Sequence, residues 1–196
     1  MRIIAGALKG RRLVTPRGSS TRPTADQVRL ALMDALMPWL PGARLLDLFA
    51  GAGGVGLEAL SRGAAHATFV ERDPRAVGAL MQNVATLGLQ AQVRVLREEV
   101  DRALRRLSTE GARFDIVFLD PPYETDGVAT VLATLGDGGL AAGVGIVVVQ
   151  HRTKRPPAPH PGILSAFRTR RFGETTLTFF RAAEYDAPSS AELKPS

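Results

Sequence analysis

Residues 45–60 read LLDLFAGAGGVGLEAL, which predicts a strand, a tight turn and a helix in immediate succession. The apolar run before the turn is typical of a buried strand, and apolar residues recur at helical spacing after it. Gly51, Gly53 and Gly56 match the pattern G-x-G-x-x-G, in which glycine permits positive φ and a close approach of backbone to a ligand. Free N–H groups of the helix N-terminus lie behind it. The stretch therefore predicts a nucleotide-type ligand, with the Asp47 carboxylate in the same crevice; the alternative is a purely structural turn.

Strands and helices alternate from residue 44 onward. Strands are predicted at residues 44–48, 66–71, 92–96, 114–119 and 145–149, with helices at about 54–62, at 74–87 and from residue 100. Such repeated units are typical of a parallel sheet with helices on both faces. Alternating residues at 165–171 and 175–181 predict a hairpin that joins the sheet edge in the antiparallel sense. The expected fold is therefore α/β and Rossmann-like, with a mostly parallel seven-stranded sheet.

The net charge of +6 is unevenly distributed. Residues 1–44 contain eight Lys or Arg and two acidic residues, and residues 151–173 contain six Lys or Arg and no acid. The rest of the chain carries the balancing negative charge. Two basic clusters beside a ligand-binding fold predict a polyanionic partner, and we expect nucleic acid.

Composition excludes several classes of protein. The chain has no cysteine, so disulfides, thiolate metal sites and cysteine nucleophiles are excluded. Its three histidines show no metal-ligand spacing, and we expect no metal. No apolar run reaches the length of a membrane span, and the N-terminus lacks the apolar region of a signal peptide. We expect a cytoplasmic protein, and a monomer because no obligate dimer surface is evident.

The two ends of the chain differ from its middle. Residues 1–22 predict a short basic hairpin or arm that lies along phosphates, with cationic side chains at Arg2, Lys9, Arg11, Arg12, Arg17 and Arg22. Thr24 and Gln27 form a capping box that opens a helix. Residues 185–196 are rich in proline and serine and predict a disordered tail. The main domain is expected at residues 23–184.

Carboxylates follow the second and third predicted strands. Glu71 lies 20 residues beyond Gly51 at a strand end, the usual position of an acid that holds ribose hydroxyls. Glu99 follows the third strand at the same edge and is a candidate acceptor for an adenine amino group, although Glu98 and Asp101 lie next to it. These features suit NAD and S-adenosylmethionine equally.

The segment Asp120-Pro121-Pro122-Tyr123 after the fourth strand separates those two cofactors. Two prolines fix φ and remove two N–H groups, which predicts a rigid turn at the ligand-binding edge. The turn offers the Asp120 carboxylate, the Pro121 carbonyl and the Tyr123 ring. Two acceptors and an aromatic face are suited to gripping the exocyclic amine of a planar base. Hydride transfer has no such need, so the segment favours methyl transfer to an amine.

These motifs together resemble the RsmD family. The resemblance covers residues 1 to about 181. It rests on Arg2-Ile3-Ile4-Ala5-Gly6, Arg22-Pro23-Thr24 with Asp26 and Arg29, Asp47-Leu48-Phe49-Ala50-Gly51, Glu58-Ala59-Leu60-Ser61-Arg62-Gly63, Asp120-Pro121-Pro122-Tyr123 and Phe172-Gly173-Glu174-Thr175. It implies a class I S-adenosylmethionine-dependent methyltransferase that acts on N2 of one guanine in bacterial 16S ribosomal RNA. We expect this RNA to be part of a small-subunit assembly particle, and free RNA stays an alternative substrate.

The resemblance also implies the functional residues. Catalysis is expected from Asp120, Pro121, Pro122 and Tyr123. S-adenosyl-L-methionine is expected to contact Thr24, Asp47, Phe49, Ala50, Gly51, Gly53, Gly56, Glu71, Arg72, Glu99 and Asp120. Two positions depart from the family pattern: Glu99 stands where Asp is more usual, and Gln150 stands where Glu is expected, so Gln150 is given no role.

Two other functions remain open at this point. A DNA adenine-N6 methyltransferase would use the same Asp120-Pro121-Pro122-Tyr123 turn, but the chain shows no separate target-recognition domain. A non-catalytic RNA-binding factor of ribosome assembly would explain the basic segments. It would leave the glycine-rich turn, Glu71 and Asp120 without a purpose.

Overall fold

The computed structural model describes residues 1–16, 23–122, 127–136, 140, 145–161 and 163–182. Its helices are α1 Pro23–Leu36, α2 Gly54–Ser61, α3 Pro74–Leu87, α4 Val100–Thr109 and α5 Gly127–Gly136. Its strands are β1 Arg44–Leu48, β2 His66–Val70, β3 Val93–Leu96, β4 Ile116–Leu119, β5 Ile146–Arg152, β6 Leu164–Phe172 and β7 Thr175–Ala182. Within these residues, every helix is too short or too polar to cross a bilayer.

The sheet has the strand order β3-β2-β1-β4-β5-β7-β6. Strands β1 to β5 are parallel, and β7 pairs antiparallel with both β5 and β6. This confirms the predicted Rossmann-like sheet with an antiparallel C-terminal hairpin. The order reverses between β1 and β4, and in open α/β sheets ligands bind at the carboxyl ends of the strands beside such a reversal.

Alternate strand residues divide the apolar interior into two layers, because successive strand side chains point to opposite faces. Leu45 and Phe69 belong to the layer that contains residues of α1, α2 and α3. Leu46 and Val70 belong to the layer that contains residues of α4 and α5. The sheet is thus buried on both faces, which explains why its strands are almost continuously apolar.

The N-terminal segment folds back on itself as a small hairpin. The Ile3 N–H donates to the Arg11 carbonyl at 3.0 Å, and Arg2 bridges Arg12 in the antiparallel sense. Ile3 and Leu13 are buried in the layer that α1 to α3 form. The hairpin is therefore part of the main core and not a loose extension.

Two buried polar side chains hold this hairpin in place. The Ser61 hydroxyl donates to the Ala5 carbonyl at 2.6 Å and accepts the Leu8 N–H at 3.0 Å. Asn83 on α3 accepts the Val14 N–H at 2.7 Å and donates to the carbonyls of Val14 and Ala52 at 2.9 and 3.0 Å. Asn83 thus connects the end of the hairpin to the glycine-rich turn.

The structure differs from the sequence prediction at several boundaries. Helix α1 begins at Pro23, so Thr24 lies inside the first turn and not at the capping position. Strand β5 continues to Arg152, beyond the predicted end at residue 149. Helix α5 was not predicted, because its sequence GVATVLATLG combines two glycines with β-branched residues that favour helices weakly. The tail at 185–196 lies outside the described residues, and the domain boundaries stay predictions.

Candidate active site

Three carboxylates meet at the carboxyl edge of the sheet, around the reversal of strand order. Asp47 lies in β1 between Phe69 and Phe118 of the neighbouring strands, and Asp120 directly follows β4. Glu71 directly follows β2. The three strands are neighbours in the sheet, so these groups lie at one edge, and the charges of Asp120 and Glu71 raise the pKa of the Asp47 carboxyl.

Glu71 is anchored by the backbone on both sides of the crevice. One carboxylate oxygen accepts the Gly51 N–H at 2.8 Å, and the other accepts the Asp73 N–H at 2.8 Å. The spacing of 20 residues between Gly51 and Glu71 therefore corresponds to a direct contact. The carboxylate keeps further acceptor positions, since an ionised carboxylate has about four.

The glycines of the turn serve internal packing. A methyl group at Gly56 would overlap the Phe69 ring of β2, and one at Gly53 would overlap the Leu80 side chain of α3. Gly51 has φ +56° with open space around the missing side chain. Close packing of a helix against a strand is one recognised purpose of the last glycine in this pattern. Gly53 and Gly56 thus act through the position of α2.

Phe49 adopts an unusual backbone conformation at the same turn. Its φ is +73°, the only positive value outside glycine among the described residues. The N–H groups of Phe49 and Ala50 both donate to the Val70 carbonyl, at 3.1 and 3.0 Å, which stabilises the turn. Bulky residues in this region are strained, and such strain is frequent at functional sites.

A cavity of about 370 Å³ opens beside these groups. Its lining consists of Phe49, Val70, Glu71, Arg72, Glu98, Glu99, Val100, Asp101, Asp120, Pro122 and Val131. The lining therefore includes five of the residues predicted to contact a cofactor, namely Phe49, Glu71, Arg72, Glu99 and Asp120. Other predicted contacts do not appear among the described lining residues: Asp47, Ala50, Gly51, Gly53 and Gly56. The Thr24 side chain is outside the described part of the structure.

The acids near residue 100 occupy different environments. Glu98 is mostly buried and pairs with Arg102 and Arg106 on α4. Glu99 is exposed, and its carboxylate lies 3.2 Å from the Arg72 guanidinium at the mouth of the cavity. Both acids are paired with arginines, but only Glu99 is exposed, so Glu99 is the better candidate to accept a ligand amine.

Burial controls the protonation of two of the carboxylates. Desolvation raises the pKa of Asp47 to about 8; the Gly56 N–H lowers it, and the nearby charges of Asp120 and Glu71 raise it. Desolvation also raises the pKa of Asp120 to about 7, against a hydrogen bond from Gln150 that lowers it. A carboxyl group that titrates near neutral pH is suited to exchange a proton with a substrate.

Gln150 is the functional candidate that sequence reasoning missed. Its side-chain amide donates a hydrogen bond to Asp120. The signal for this contact was available in the parallel pairing, because Leu119 is in register with Val149 and the next residue of each strand then lies side by side. Gln150, which stands where glutamate is expected, thus provides a donor to Asp120. A glutamate at this position would repel the Asp120 carboxylate.

The other predicted residues lie as follows. Pro121 is buried and Pro122 is exposed at the cavity, while Tyr123 lies outside the described residues. The side chains of Arg2, Lys9, Arg11 and Arg12 are exposed on the hairpin, and Arg17 and Arg22 lie outside the described residues. The Arg11 guanidinium donates to the Thr86 carbonyl at 2.8 Å, so it also closes the end of α3.

Comparison with known proteins identifies the relatives of this chain. The family model described as Conserved hypothetical protein 95 matches residues 1–181. The Ribosomal RNA small subunit methyltransferase D of Escherichia coli K12 is 34% identical over 181 residues, which are 92% of this chain and 89% of that protein. The putative rRNA methyltransferase YlbH of Bacillus subtilis is 36% identical over 92% of this chain and 98% of its own length.

Solved structures share the fold of this chain. A hypothetical protein of Thermus thermophilus superposes with a TM-score of 0.78 at 34% identity, covering 93% of this chain and 99% of that one. SMU.776, solved in complex with SAH, shares the fold with a TM-score of 0.66 at 14% identity, over 83% of this chain and 50% of its own. The family model matches residues 1–181, and the Escherichia coli relative is 34% identical over 92% of this chain. This chain therefore belongs to the RsmD family.

Proposed function

We propose that this protein transfers a methyl group from S-adenosyl-L-methionine to the exocyclic N2 amine of a guanine in 16S ribosomal RNA. The observation that carries the proposal is the position of Asp120, whose carboxylate lines the same cavity as Glu71 and Glu99. Asp120, the proposed acceptor for the amine, thus lines the same cavity as Glu71 and Glu99, the candidate contacts for the nucleoside. The name of the Escherichia coli relative, a methyltransferase of small-subunit ribosomal RNA, supports the RNA substrate.

The cavity suits this cofactor in size and charge. Its volume of about 370 Å³ lies within the usual range of small-molecule sites. S-adenosylmethionine has a cationic sulfonium and an amino group, which the carboxylates around the cavity favour. Glu71 keeps acceptor positions for ribose hydroxyls after binding the Gly51 and Asp73 N–H groups. Glu99, whose exposed carboxylate also pairs with Arg72, is the proposed acceptor for the adenine amino group.

The protein's contribution to the reaction is positioning and charge stabilisation. Bound S-adenosylmethionine supplies an already activated methyl group. The Asp120 carboxylate and the Pro121 carbonyl accept the N–H bonds of the guanine amine and direct its lone pair into the cavity. Asp120 stabilises the positive charge that develops on the nitrogen and then takes the proton. Gln150 holds the carboxylate in place, and Tyr123 stacks on the base.

Purified protein, labelled S-adenosylmethionine and three substrates test this proposal: naked 16S ribosomal RNA, immature small subunits and DNA. We expect label in ribosomal RNA, recovered as N2-methylguanosine after hydrolysis. Label recovered from DNA as N6-methyladenine would establish the alternative methyltransferase. RNA binding without any transfer would establish a non-catalytic assembly factor.

A pair of aspartate variants tests the role of Asp120. Asp120→Ala should lower kcat by on the order of 100-fold or more while the protein still binds the cofactor in calorimetry. Asp115→Ala is the matched control, because Asp115 precedes the same strand at its opposite end and is exposed. Near-normal turnover by Asp120→Ala would contradict the proposed mechanism.

A further inference from the structure

A second cavity lies on the other side of Pro122 from the first. Its volume is about 350 Å³, and its lining consists of Pro121, Pro122, Val128, Ala129, Gln150, His151, Arg152, Arg155, Pro156, Pro157 and Ala158. Pro122 lines both cavities, and Gln150 in the second cavity is hydrogen bonded to Asp120 in the first. The second cavity is therefore adjacent to the proposed amine acceptor.

Exposed cations continue from this cavity along the surface. Arg152 and Arg155 also line a third cavity of about 330 Å³, together with Lys154 and Arg171. All four of these side chains are exposed. We call Arg152, Lys154, Arg155 and Arg171 the basic track. It extends from the corner at Pro122 to the turn between β6 and β7.

The backbone beneath the basic track is held in one conformation. The Thr153 N–H donates to the Glu174 carbonyl at 2.8 Å, and its hydroxyl donates to the Gly173 carbonyl at 3.0 Å. The same hydroxyl lies 2.8 Å from that of Thr176. The Arg171 guanidinium also donates to the Gly173 carbonyl, at 3.2 Å. The cations are thus presented by an ordered turn, which reduces the entropy lost when a partner binds.

The four cations of the basic track line the third cavity together with one described acid, Glu174. Several arginines on or near α4 are paired with acids instead, as in the pair Arg94–Glu110 at 2.6 Å and the pair Arg106–Glu110 at 3.0 Å. Within the described ranges, no carboxylate lies at ion-pair distance from Lys154 or Arg155. A local excess of exposed cations over acids attracts a polyanion.

We propose that the basic track binds the phosphate backbone of the substrate RNA next to the target nucleotide. The N-terminal hairpin packs on α2 and α3 near β1 and β2, whereas the basic track follows β5 and adjoins the β6–β7 turn at the other end of the sheet. Of these two basic surfaces, the basic track is the one that adjoins Asp120, through Pro122 and Gln150, so RNA bound there restricts how the target base enters. This inference rests on the proposed function and extends it to a second contact surface.

Salt-dependent RNA binding by charge-removal variants tests the basic track. The double variant Lys154→Ala/Arg155→Ala should lower the slope of log affinity against log salt concentration by about 1.4, as expected when two contacts to a single-stranded phosphate backbone are lost. Its KM for RNA should rise while its kcat and cofactor affinity stay within about twofold. The matched control is Arg105→Ala/Arg113→Ala, which removes the same charge from exposed positions on α4 and before β4. This control should keep the wild-type slope.

A second variant tests whether the hydrogen bonds that hold the turn at Thr153 contribute to RNA binding, without a change of charge. Thr153→Val keeps the side-chain shape and removes the hydroxyl contacts with Gly173 and Thr176, so RNA affinity should fall while the thermal midpoint changes by only a few degrees. Equal salt slopes for the track variant and its control would overturn the inference. If the wild-type protein neither binds nor methylates ribosomal RNA, the proposed function fails first, and the two failures are thereby distinguished.

Discussion

The carboxylate of Glu58 on α2 accepts the backbone N–H of Ile4 at 2.7 Å. Its other oxygen accepts the Ala5 N–H and the Arg62 guanidinium, each at 2.9 Å. Glu58 is completely buried, and these donors compensate its charge. Helix α2 follows the glycine-rich turn directly, so this contact attaches the basic hairpin to the element that borders the candidate site.

Replacing Glu58 should destabilise the fold. In Glu58→Gln an NH₂ group replaces one carboxylate oxygen and faces a buried N–H, which then loses its acceptor. The buried Arg62 guanidinium also loses its negatively charged partner. We expect the free energy of unfolding to fall by about 3–5 kcal/mol, the usual loss when one partner of a buried ion pair is removed. Urea unfolding measures it.

The control for this change is Glu110→Gln. Glu110 also accepts from two arginines, Arg94 and Arg106, but it is partly exposed to solvent. Screening by water makes such surface pairs weak, and this variant should unfold at nearly the wild-type urea concentration. An equal fall in the free energy of unfolding in Glu58→Gln and Glu110→Gln would show that burial does not determine how much the Glu58 contacts stabilise the fold.

Two glycine substitutions should change stability in opposite directions. Gly56→Ala places a methyl group against the Phe69 ring and should cost about 1–3 kcal/mol through overpacking. Gly78→Ala lies in the exposed interior of α3 with nothing near the new methyl group, and it should stabilise by about 0.5–1 kcal/mol. Thermal or urea unfolding compares the two variants. Unchanged stability of Gly56→Ala would contradict an overlap with the Phe69 ring.

Stability should decline as the pH rises through the range in which Asp47 titrates. An unfolded aspartate ionises near pH ~4, whereas burial raises the pKa of folded Asp47 to about 8. Between these values the folded state binds the extra proton, so the free energy of unfolding falls with rising pH. Integrated over the window, the loss is on the order of 5 kcal/mol.

The variant Asp47→Asn isolates this effect, because asparagine keeps an acceptor for the Gly56 N–H and does not titrate. Urea midpoints at about pH 5 and about pH 8.5 should differ less in the variant than in the wild-type protein, and the difference that remains belongs to Asp120, whose pKa burial raises to about 7. Asp115→Asn, in which an exposed carboxyl is removed, should keep the wild-type difference. Parallel behaviour of all three proteins would contradict a raised pKa at Asp47.

The rate of methyl transfer should rise with pH around neutrality. The ionised form of Asp120 is the one that accepts from the amine, and burial raises its pKa to about 7. We therefore expect kcat/KM to increase from about pH 6 to about pH 8, with a midpoint near 7. Gln150→Leu removes the hydrogen bond that lowers this pKa, and the midpoint should move to higher pH.

Gln82→Leu on the exposed face of α3 is the matched control for this shift. It makes the same change of side chain and should keep the wild-type midpoint. A flat pH profile in the wild-type protein would exclude Asp120 as the titrating group, and an unchanged midpoint in Gln150→Leu would exclude the hydrogen bond as its cause.

The candidate site could be predicted from the sequence to the extent that it depends on strand ends. Glu71 and Asp120 each follow a strand that is apolar and bounded by a recognisable turn, and parallel strands end at one edge of the sheet. The purpose of Gly56 could not be predicted, since the Phe69 ring that occupies the space beside it comes from another strand. Gln150 was missed because its role depends on the register of β4 and β5.

The order of the strands, the glycine-rich turn and the proline corner after Asp120 could be predicted locally, because residue periodicity, proline and glycine act within a few residues of themselves. Tertiary structure alone decided which distant groups share a contact. Glu58 and Ile4 are 54 residues apart, and nothing in either segment reveals that the carboxylate of Glu58 accepts the backbone N–H of Ile4. Burial, which no residue possesses until the chain has folded, also decided that Asp47 and Asp120 titrate near neutral pH.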